Sequence, residues 1–269
     1  MNIDISPNTA LRLVLGAQAF CIALSTSELL VCGELTRKNS FHSFRHLTGM
    51  GRESSMALSV SRVLPLLITL RLLAAILLVA AVAFNVFLPH AVLALATVSS
   101  ILAWYKIIGG DGAEQMAFIV ITAAAFTAIA GFNDNHVLLF LFFVAGQASL
   151  AYLTAGIAKL VSPTWRSGVA ITRIVSASSY GTPWCHRTLT SLPLLGVAIC
   201  WATIIWESLF PIALCGNHIV TVAVLAIGIL FHVGCAIIMG LNDFVWAFVG
   251  TYPAVIIVSQ RIGEWFASS

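Results

Sequence analysis

The chain has 269 residues, of which 60% are hydrophobic and only 9% are charged, with a net charge of +3. A soluble domain of average composition has about 25% charged residues, because its surface must face water. These proportions exclude a large soluble domain and predict that lipid surrounds most of the molecule. No pattern of basic and aromatic residues accompanies the positive charge, so we expect no nucleic-acid partner.

Apolar segments of about 20 residues, the length that crosses a bilayer as a helix, follow one another along the sequence. The predicted spans are residues 9–33, 63–88, 91–108, 114–131, 136–161, 192–215, 219–239 and 244–259. Because residues 1–11 lack a positive charge, we expect the first span to be a retained membrane helix rather than a cleaved signal peptide. Most connections are short, so we predict an all-α fold: a polytopic transmembrane bundle of about eight helices, forming one domain over residues 1–269.

Two longer polar connecting segments, residues 34–61 and 162–191, interrupt this pattern. Basic residues lie in or next to the connections after the first, third and fifth predicted helices, and the connections after the second, fourth and sixth hold none. By the positive-inside rule the basic connections are cytoplasmic, and both termini lie outside the cell membrane. If the basic connections instead bind an anionic substrate, their charges are functional and the rule loses force.

The six cysteines lie mostly in apolar stretches and show no CxxC spacing. We therefore expect small packing residues rather than a disulfide framework or a metal site. His42 and His46 are one helical turn apart, but without a third ligand we interpret them as solvated loop histidines. The sequence predicts no metal site.

Lys159 is the leading functional candidate, because an ionisable group inside a membrane helix is energetically costly. It lies near the end of the fifth predicted helix, on the same face as Tyr152 and Ala155. The small residues Ala155 and Gly156 allow another helix to approach closely. A buried neutral amine could act as a base, or Lys159 could snorkel so that its ammonium reaches the interface.

Three further polar residues stand out against apolar surroundings. Glu207 interrupts an apolar stretch one turn before Pro211. It is either a buried carboxylate that pairs with a cation or shares a proton, or a structural hydrogen bond between helices. His232 lies deep in the seventh predicted helix, as a packing residue or an acid–base group. Asp111 and Glu114 lie at the start of the fourth, where carboxylates cap a helix and favour its dipole.

The segment around Lys159 resembles a hallmark of the HTTM family, the membrane domains related to vitamin K-dependent gamma-carboxylase. The family pattern is an Ala-Gly-x-x-Lys-Leu helix end, here residues 155–160, followed by Trp165 and Gly168. Further stretches agree in order and spacing, so the similarity covers nearly the whole chain: residues 109–111, 206–211, 231–232 and 239–241.

The resemblance implies that Lys159 is a catalytic base, like the lysine that deprotonates reduced vitamin K in the eukaryotic carboxylase. It implies supporting roles for Glu207 and His232, and it places Asp111 near a position where the eukaryotic enzyme has a functional histidine. A reduced quinone that enters from the bilayer is the implied cofactor. Beside the lysine, the candidate substrate-binding residues are Tyr152, Trp165 and Arg166.

In size the chain is more similar to bacterial membrane proteins of the same superfamily that help to mature a sporulation-delaying peptide toxin. The first hypothesis is therefore a membrane enzyme or enzyme-like factor that modifies a peptide or small substrate, by carboxylase-like or other lyase or oxidoreductase chemistry. The second is a non-enzymatic accessory protein for export of, or immunity to, a secreted peptide. The third is a small transporter. The first two imply a small secreted peptide and its maturation proteins as partners.

Overall fold

The computed structural model describes residues 5–32, 55–105, 110–177 and 181–268. The predicted all-α fold class is confirmed, because the residues in these ranges form helices and turns and no strand. His42, His46 and most of the polar segment 34–61 lie outside the described residues.

Each predicted span overlaps a helical segment, and most ends differ by a few residues. The exceptions are the second span, where the helix begins at Ser55 rather than residue 63, and the last span, where the helix ends at Ser268 rather than residue 259. The α-helices of the described residues are α1 (Pro7–Cys32), α2 (Ser55–Phe84), α3 (Leu88–Tyr105), α4 (Gly112–Ala130), α5 (Asp134–Val161), α6 (Pro163–Arg166), α7 (Val169–Ser176), α8 (Pro183–Ser191), α9 (Pro193–Leu209), α10 (His218–Met239), α11 (Asn242–Phe244) and α12 (Tyr252–Ser268). A 3₁₀ turn, Phe210–Leu214, continues α9 at Pro211, and a π-helical turn, Val245–Val249, follows α11.

Seven helical stretches among the described residues are long and apolar enough to cross a membrane. They correspond to α1, α2, α4, α5, α9 with its 3₁₀ turn, α10, and the segment from α11 to α12. The third predicted span is also a helix, but its apolar part, Leu88–Ala103, is shorter than the other seven. The chain is thus a multi-pass membrane protein.

Large apolar side chains on the outside of these helices agree with a lipid environment. Leu66, Phe126, Leu139, Leu194 and Leu230 are each more than half exposed. In water such a surface would drive aggregation, whereas in a bilayer it faces hydrocarbon of matching polarity. The backbone polar groups are satisfied within the helices, as a spanning segment requires.

Local signals in the sequence set the ends of α10. The Asn217 side chain accepts hydrogen bonds from the backbone N–H groups of Ile219 and Val220, at 3.0 and 3.2 Å. At the other end Gly240 adopts φ +73°, a left-handed conformation that favours glycine, and its N–H donates to the Ala236 carbonyl. These two residues fix which part of the apolar run is helical.

The helices form two compact units. The N-terminal unit comprises Leu11–Phe140, and the C-terminal unit comprises Leu141–Ser269 with the first ten residues. In the N-terminal unit α3 packs against α2 and α4, and in the C-terminal unit α10 packs against the 3₁₀ turn, the π turn and α12. That residues 1–269 form a single domain stays a prediction.

Candidate functional site

Lys159 and Glu207 form an ion pair between α5 and α9 in the C-terminal unit. The lysine Nζ donates to both carboxylate oxygens, at 2.9 Å to Oε1 and 2.6 Å to Oε2. The Lys159 side chain is 20% exposed and that of Glu207 is 6% exposed. Glu207 therefore pairs with a cation, and the same contact is a hydrogen bond between two helices, so the functional and structural alternatives for this residue both stay open. Lys159 has its ammonium bound inside the unit rather than extended away from it.

The close crossing of α5 and α9 brings these two side chains together. A Cβ atom at Gly156 would lie 2.5 Å from both the backbone nitrogen and the Oγ of Ser208, closer than real Cβ contacts. Only glycine therefore fits at this point of α5. The expectation that the small residues before Lys159 let another helix approach is confirmed at Gly156, and the helix that approaches is α9.

Trp165 and Arg166, both predicted to bind substrate, occupy different surroundings. The Lys159 Nζ lies 5.1 Å from the centroid of the Trp165 ring, within the range of a cation–π interaction. The Arg166 side chain is exposed, and its backbone carbonyl accepts a hydrogen bond from Trp201 Nε1 at 3.2 Å. Trp165 therefore borders the ion pair, whereas Arg166 faces outward.

A second polar group shares α5 with the ion pair and consists of Tyr152, His232 and Tyr252. The Tyr152 hydroxyl lies 2.7 Å from His232 Nε2 and 3.1 Å from the Tyr252 hydroxyl. All three side chains are buried. The His232 Nδ1 atom is also buried and has no hydrogen-bond partner among the described residues. The three residues come from α5, α10 and α12, so the group ties three helices together.

Aromatic rings surround this group and hold Tyr152 in place. The Tyr152 ring stacks on Phe210 with centroids 4.0 Å apart and meets the edge of Trp206 at 5.0 Å. The His232 ring stacks on Phe248 at 5.1 Å with an interplanar angle of 11°. Stacking on both sides of the hydrogen bond restricts the rotation of the tyrosine and the histidine.

The two polar groups share their supporting helices. Tyr152 precedes Lys159 by two turns of α5, a rise of about 10 Å. On α9, Trp206 contacts Tyr152, and the next residue, Glu207, binds Lys159. Both α5 and α9 therefore contribute one residue to the aromatic group and one residue to the ion pair.

Asp111 lies in the N-terminal unit, and its described side-chain contact is a helix cap. Its Oδ1 accepts a hydrogen bond from the Glu114 backbone N–H at 2.9 Å at the start of α4. Glu114 in turn accepts a hydrogen bond from Arg71 Nη1 at 2.8 Å. The sequence interpretation of Asp111 as a cap agrees with this geometry, and its catalytic role stays a prediction.

Sequence reasoning missed Arg71, Phe210, Phe248 and Tyr252. Arg71 carried a usable signal, since it is a lone charge within the apolar second span. Tyr252 carried a weaker one, because a hydroxyl within a membrane span needs a hydrogen-bond partner. The two phenylalanines do not differ in the sequence from those that face lipid.

The described residues contain no group of three or more His, Cys, Asp or Glu side chains that could hold a metal ion. The free cysteines among them include the half-buried Cys235 on α10 and the buried Cys200 on α9. The two polar groups around Lys159 and Tyr152 thus offer an amine, a carboxylate, an imidazole and two phenols.

In the comparisons with known proteins, no family model, no curated protein and no solved structure matches this chain. The likeness to the HTTM family therefore rests on the sequence motifs around Lys159, Glu207 and His232.

Proposed function

We propose that this chain is a membrane-embedded enzyme, or enzyme-like maturation factor, that removes a proton from a small or peptide substrate with Lys159 as the base. The observation that carries the proposal is the contact of Lys159 Nζ with both carboxylate oxygens of Glu207, at 2.9 and 2.6 Å, between two membrane-spanning helices. An amine held in this way has a defined position and a defined proton acceptor beside it.

The ion pair suits proton transfer because its proton can lie on either partner. Transfer from the ammonium to the carboxylate converts two charges into two neutral groups, and the net charge of the pair does not change. Separated charges are costly where water is scarce, so the neutral arrangement lies within energetic reach. In that arrangement the Lys159 nitrogen has a free electron pair that can accept a substrate proton, while Glu207 holds the displaced proton.

Tyr152, His232 and Trp165 would then position the reacting groups. The Trp165 ring at 5.1 Å restricts the directions from which a substrate can reach the amine. Tyr152 lies on the same helix as Lys159, and its hydrogen bond to His232 ties that helix to α10. We propose that His232 and Glu207 support the base rather than act as bases themselves.

The finer parts of this proposal rest on the family resemblance. They are a reduced quinone that enters from the bilayer, a secreted peptide and its maturation proteins as partners, substrate contact at Arg166 and a catalytic role for Asp111. Placement in the cell membrane with the basic connections in the cytoplasm and both termini outside rests instead on the distribution of basic residues along the sequence.

A comparison of cells that express the wild type, Lys159→Arg or Lys159→Met tests the base. Mass spectrometry of membrane extracts and secreted peptides would detect a product that depends on the protein. We expect both variants to lower that product about 100-fold or more, since general-base catalysis contributes at least this factor. Arg261→Gln, which removes an exposed arginine paired with Glu264, is the control for loss of a cation. Unchanged product in Lys159→Arg, at equal amounts of inserted protein, would rule out Lys159 as the base.

A further inference from the structure

Three short helices, α6 to α8, follow α5 and precede α9 along the chain. Together they form a small layer. The middle helix, α7, packs on both α6 and α8, and each of the three packs on α9. The interior of the layer is a cluster of buried side chains, Val175, Cys185 and Leu189, against which Ile171, Ile199 and Ile238 pack. The Thr182 hydroxyl donates a hydrogen bond to the Ile238 carbonyl near the end of α10. The layer is therefore an ordered part of the C-terminal unit.

The outer face of this layer carries three arginines. Arg166, Arg173 and Arg187 are all exposed, and each comes from a different helix of the layer. No aspartate or glutamate occurs between Lys159 and Glu207 in the sequence. The hydrogen bond given by the side chain of Arg187 goes to the Pro183 carbonyl of its own helix, at 3.3 Å.

These arginines differ from the other cations whose side chains the structure describes. Arg12 donates to the Asn85 side chain at 2.5 Å, and Arg71, Lys159 and Arg261 each pair with a glutamate. Within the described part of the chain, no carboxylate pairs with the three arginines of the layer. Their positive charge is thus available to an external anion.

Exposed tryptophans lie in this layer and against it. Trp184 on α8 is 57% exposed, and Trp201 on α9, whose indole donates to the Arg166 carbonyl, is 36% exposed. Tryptophan concentrates at the boundary between hydrocarbon and water, so the two indoles agree with a layer at the level of the lipid headgroups.

We propose that the outer face of α6 to α8 is a binding surface for anionic phospholipid headgroups. Guanidinium groups present paired N–H donors that match phosphate oxygens, and three uncompensated charges favour lipids with net negative charge over zwitterionic ones. A bound headgroup would also hold α6 in place. Since Trp165 of α6 lies over Lys159, occupancy of this surface affects the surroundings of the ion pair.

The experiment compares the purified full chain in neutral detergent with added phosphatidylglycerol or added phosphatidylcholine. The midpoint of thermal unfolding should rise by roughly 3–5 °C with phosphatidylglycerol at about tenfold its dissociation constant, and less with phosphatidylcholine. The triple variant Arg166→Gln/Arg173→Gln/Arg187→Gln should lose most of that rise. The triple Arg→Lys variant should keep more of it, and the matched control Arg261→Gln should keep all of it.

Several outcomes would overturn the proposal. An equal rise with phosphatidylcholine would mean that the effect is not one of headgroup charge. An equal rise with inorganic phosphate alone would assign the surface to a free anion rather than to a lipid. A full rise in the triple Arg→Gln variant would place the lipid elsewhere. If that variant does not fold, native mass spectrometry compares the lipid retained by the wild type and by the triple Arg→Lys variant at low and at high salt. Lipid retention that does not fall at high salt in either protein would exclude an electrostatic surface.

Discussion

Each of the two compact units contains an ion pair between helices, and the two pairs differ in the chemistry of the cation. In the N-terminal unit Arg71 binds Glu114 at 2.8 Å, and in the C-terminal unit Lys159 binds Glu207 at 2.6 Å. A guanidinium keeps its proton under all conditions in which a protein is folded, whereas an amine can release one. The arginine pair can therefore only hold charge, while the lysine pair can exchange a proton.

The surroundings of the two pairs follow the same division. The Arg71 side chain is 3% exposed, and Glu114 lies in the first turn of α4, where the helix dipole stabilises a carboxylate. The Lys159 side chain is 20% exposed, and Glu207 lies within α9, away from its start. An intramembrane ion pair therefore does not by itself indicate catalysis. The identity and the accessibility of its cation decide what the pair can do.

Removal of the acid from each pair should have the largest effect and should separate the two. Glu114→Gln leaves the Arg71 guanidinium buried without a counter-charge, so we expect a loss of about 3–5 kcal/mol of stability. Glu207→Gln should cost less, about 1–2 kcal/mol, because the Lys159 side chain is 20% exposed and can contact water instead. Thermal unfolding in detergent measures both, with Glu264→Gln at the exposed pair as control. Equal losses for the two variants would contradict the proposed difference.

A smaller effect should follow from crowding the crossing of α5 and α9. Gly156→Ala places a methyl group against Ser208, which should cost about 1–3 kcal/mol and move Glu207 away from Lys159. Gly146→Ala on the same helix is the matched control, since a Cβ there meets nothing within 4 Å. Thermal unfolding should therefore show a loss at position 156 and none at position 146. A crossing that tolerates both variants equally would not be what positions the pair.

The smallest effect concerns the reactivity of the Lys159 amine. In Glu207→Gln the nitrogen loses its two contacts with the carboxylate oxygens, so it should be less restrained and more reactive. Labelling with a dilute amine-reactive reagent at fixed pH, read by peptide mass spectrometry, should therefore increase at Lys159. Arg261→Gln, which leaves both contacts in place, is the control. A decrease would show that Glu207 does not restrain the amine.

The sequence predicts the helices of this chain well, because lipid requires long apolar runs and such runs are visible in composition alone. The differences arise where the pattern is weak. The chain around residues 55–62 mixes polar and apolar residues, so α2 begins at Ser55, earlier than the predicted start at residue 63. Pro211 converts the end of the sixth predicted span into a 3₁₀ turn, a change of geometry that hydropathy does not report.

The candidate site could be predicted only in part. Lys159 and Glu207 were found singly, because a charge within an apolar run is conspicuous. Their contact could not be derived from spacing, since no periodicity relates residues on different helices. The resemblance to the HTTM family groups them with His232 and Asp111. The ion pair brings two of these four residues together, and the grouping as a whole stays a prediction. Phe210 and Tyr252 could not be found, because an aromatic residue that lines a site and one that faces lipid look alike in sequence.

The π-helical turn at Val245–Val249 makes the contacts of the last membrane segment depend on the number of residues in that turn. Phe248 within this turn stacks on His232, and Tyr252 just after it reaches Tyr152. A π turn holds about one residue more than an α turn, and each residue rotates a helix by about 100°. Loss of a single residue from this turn would therefore swing Tyr252 away from its partner while leaving composition and hydropathy almost unaltered. Insertions and deletions at this position, rather than substitutions, are the changes to which the aromatic group is most vulnerable.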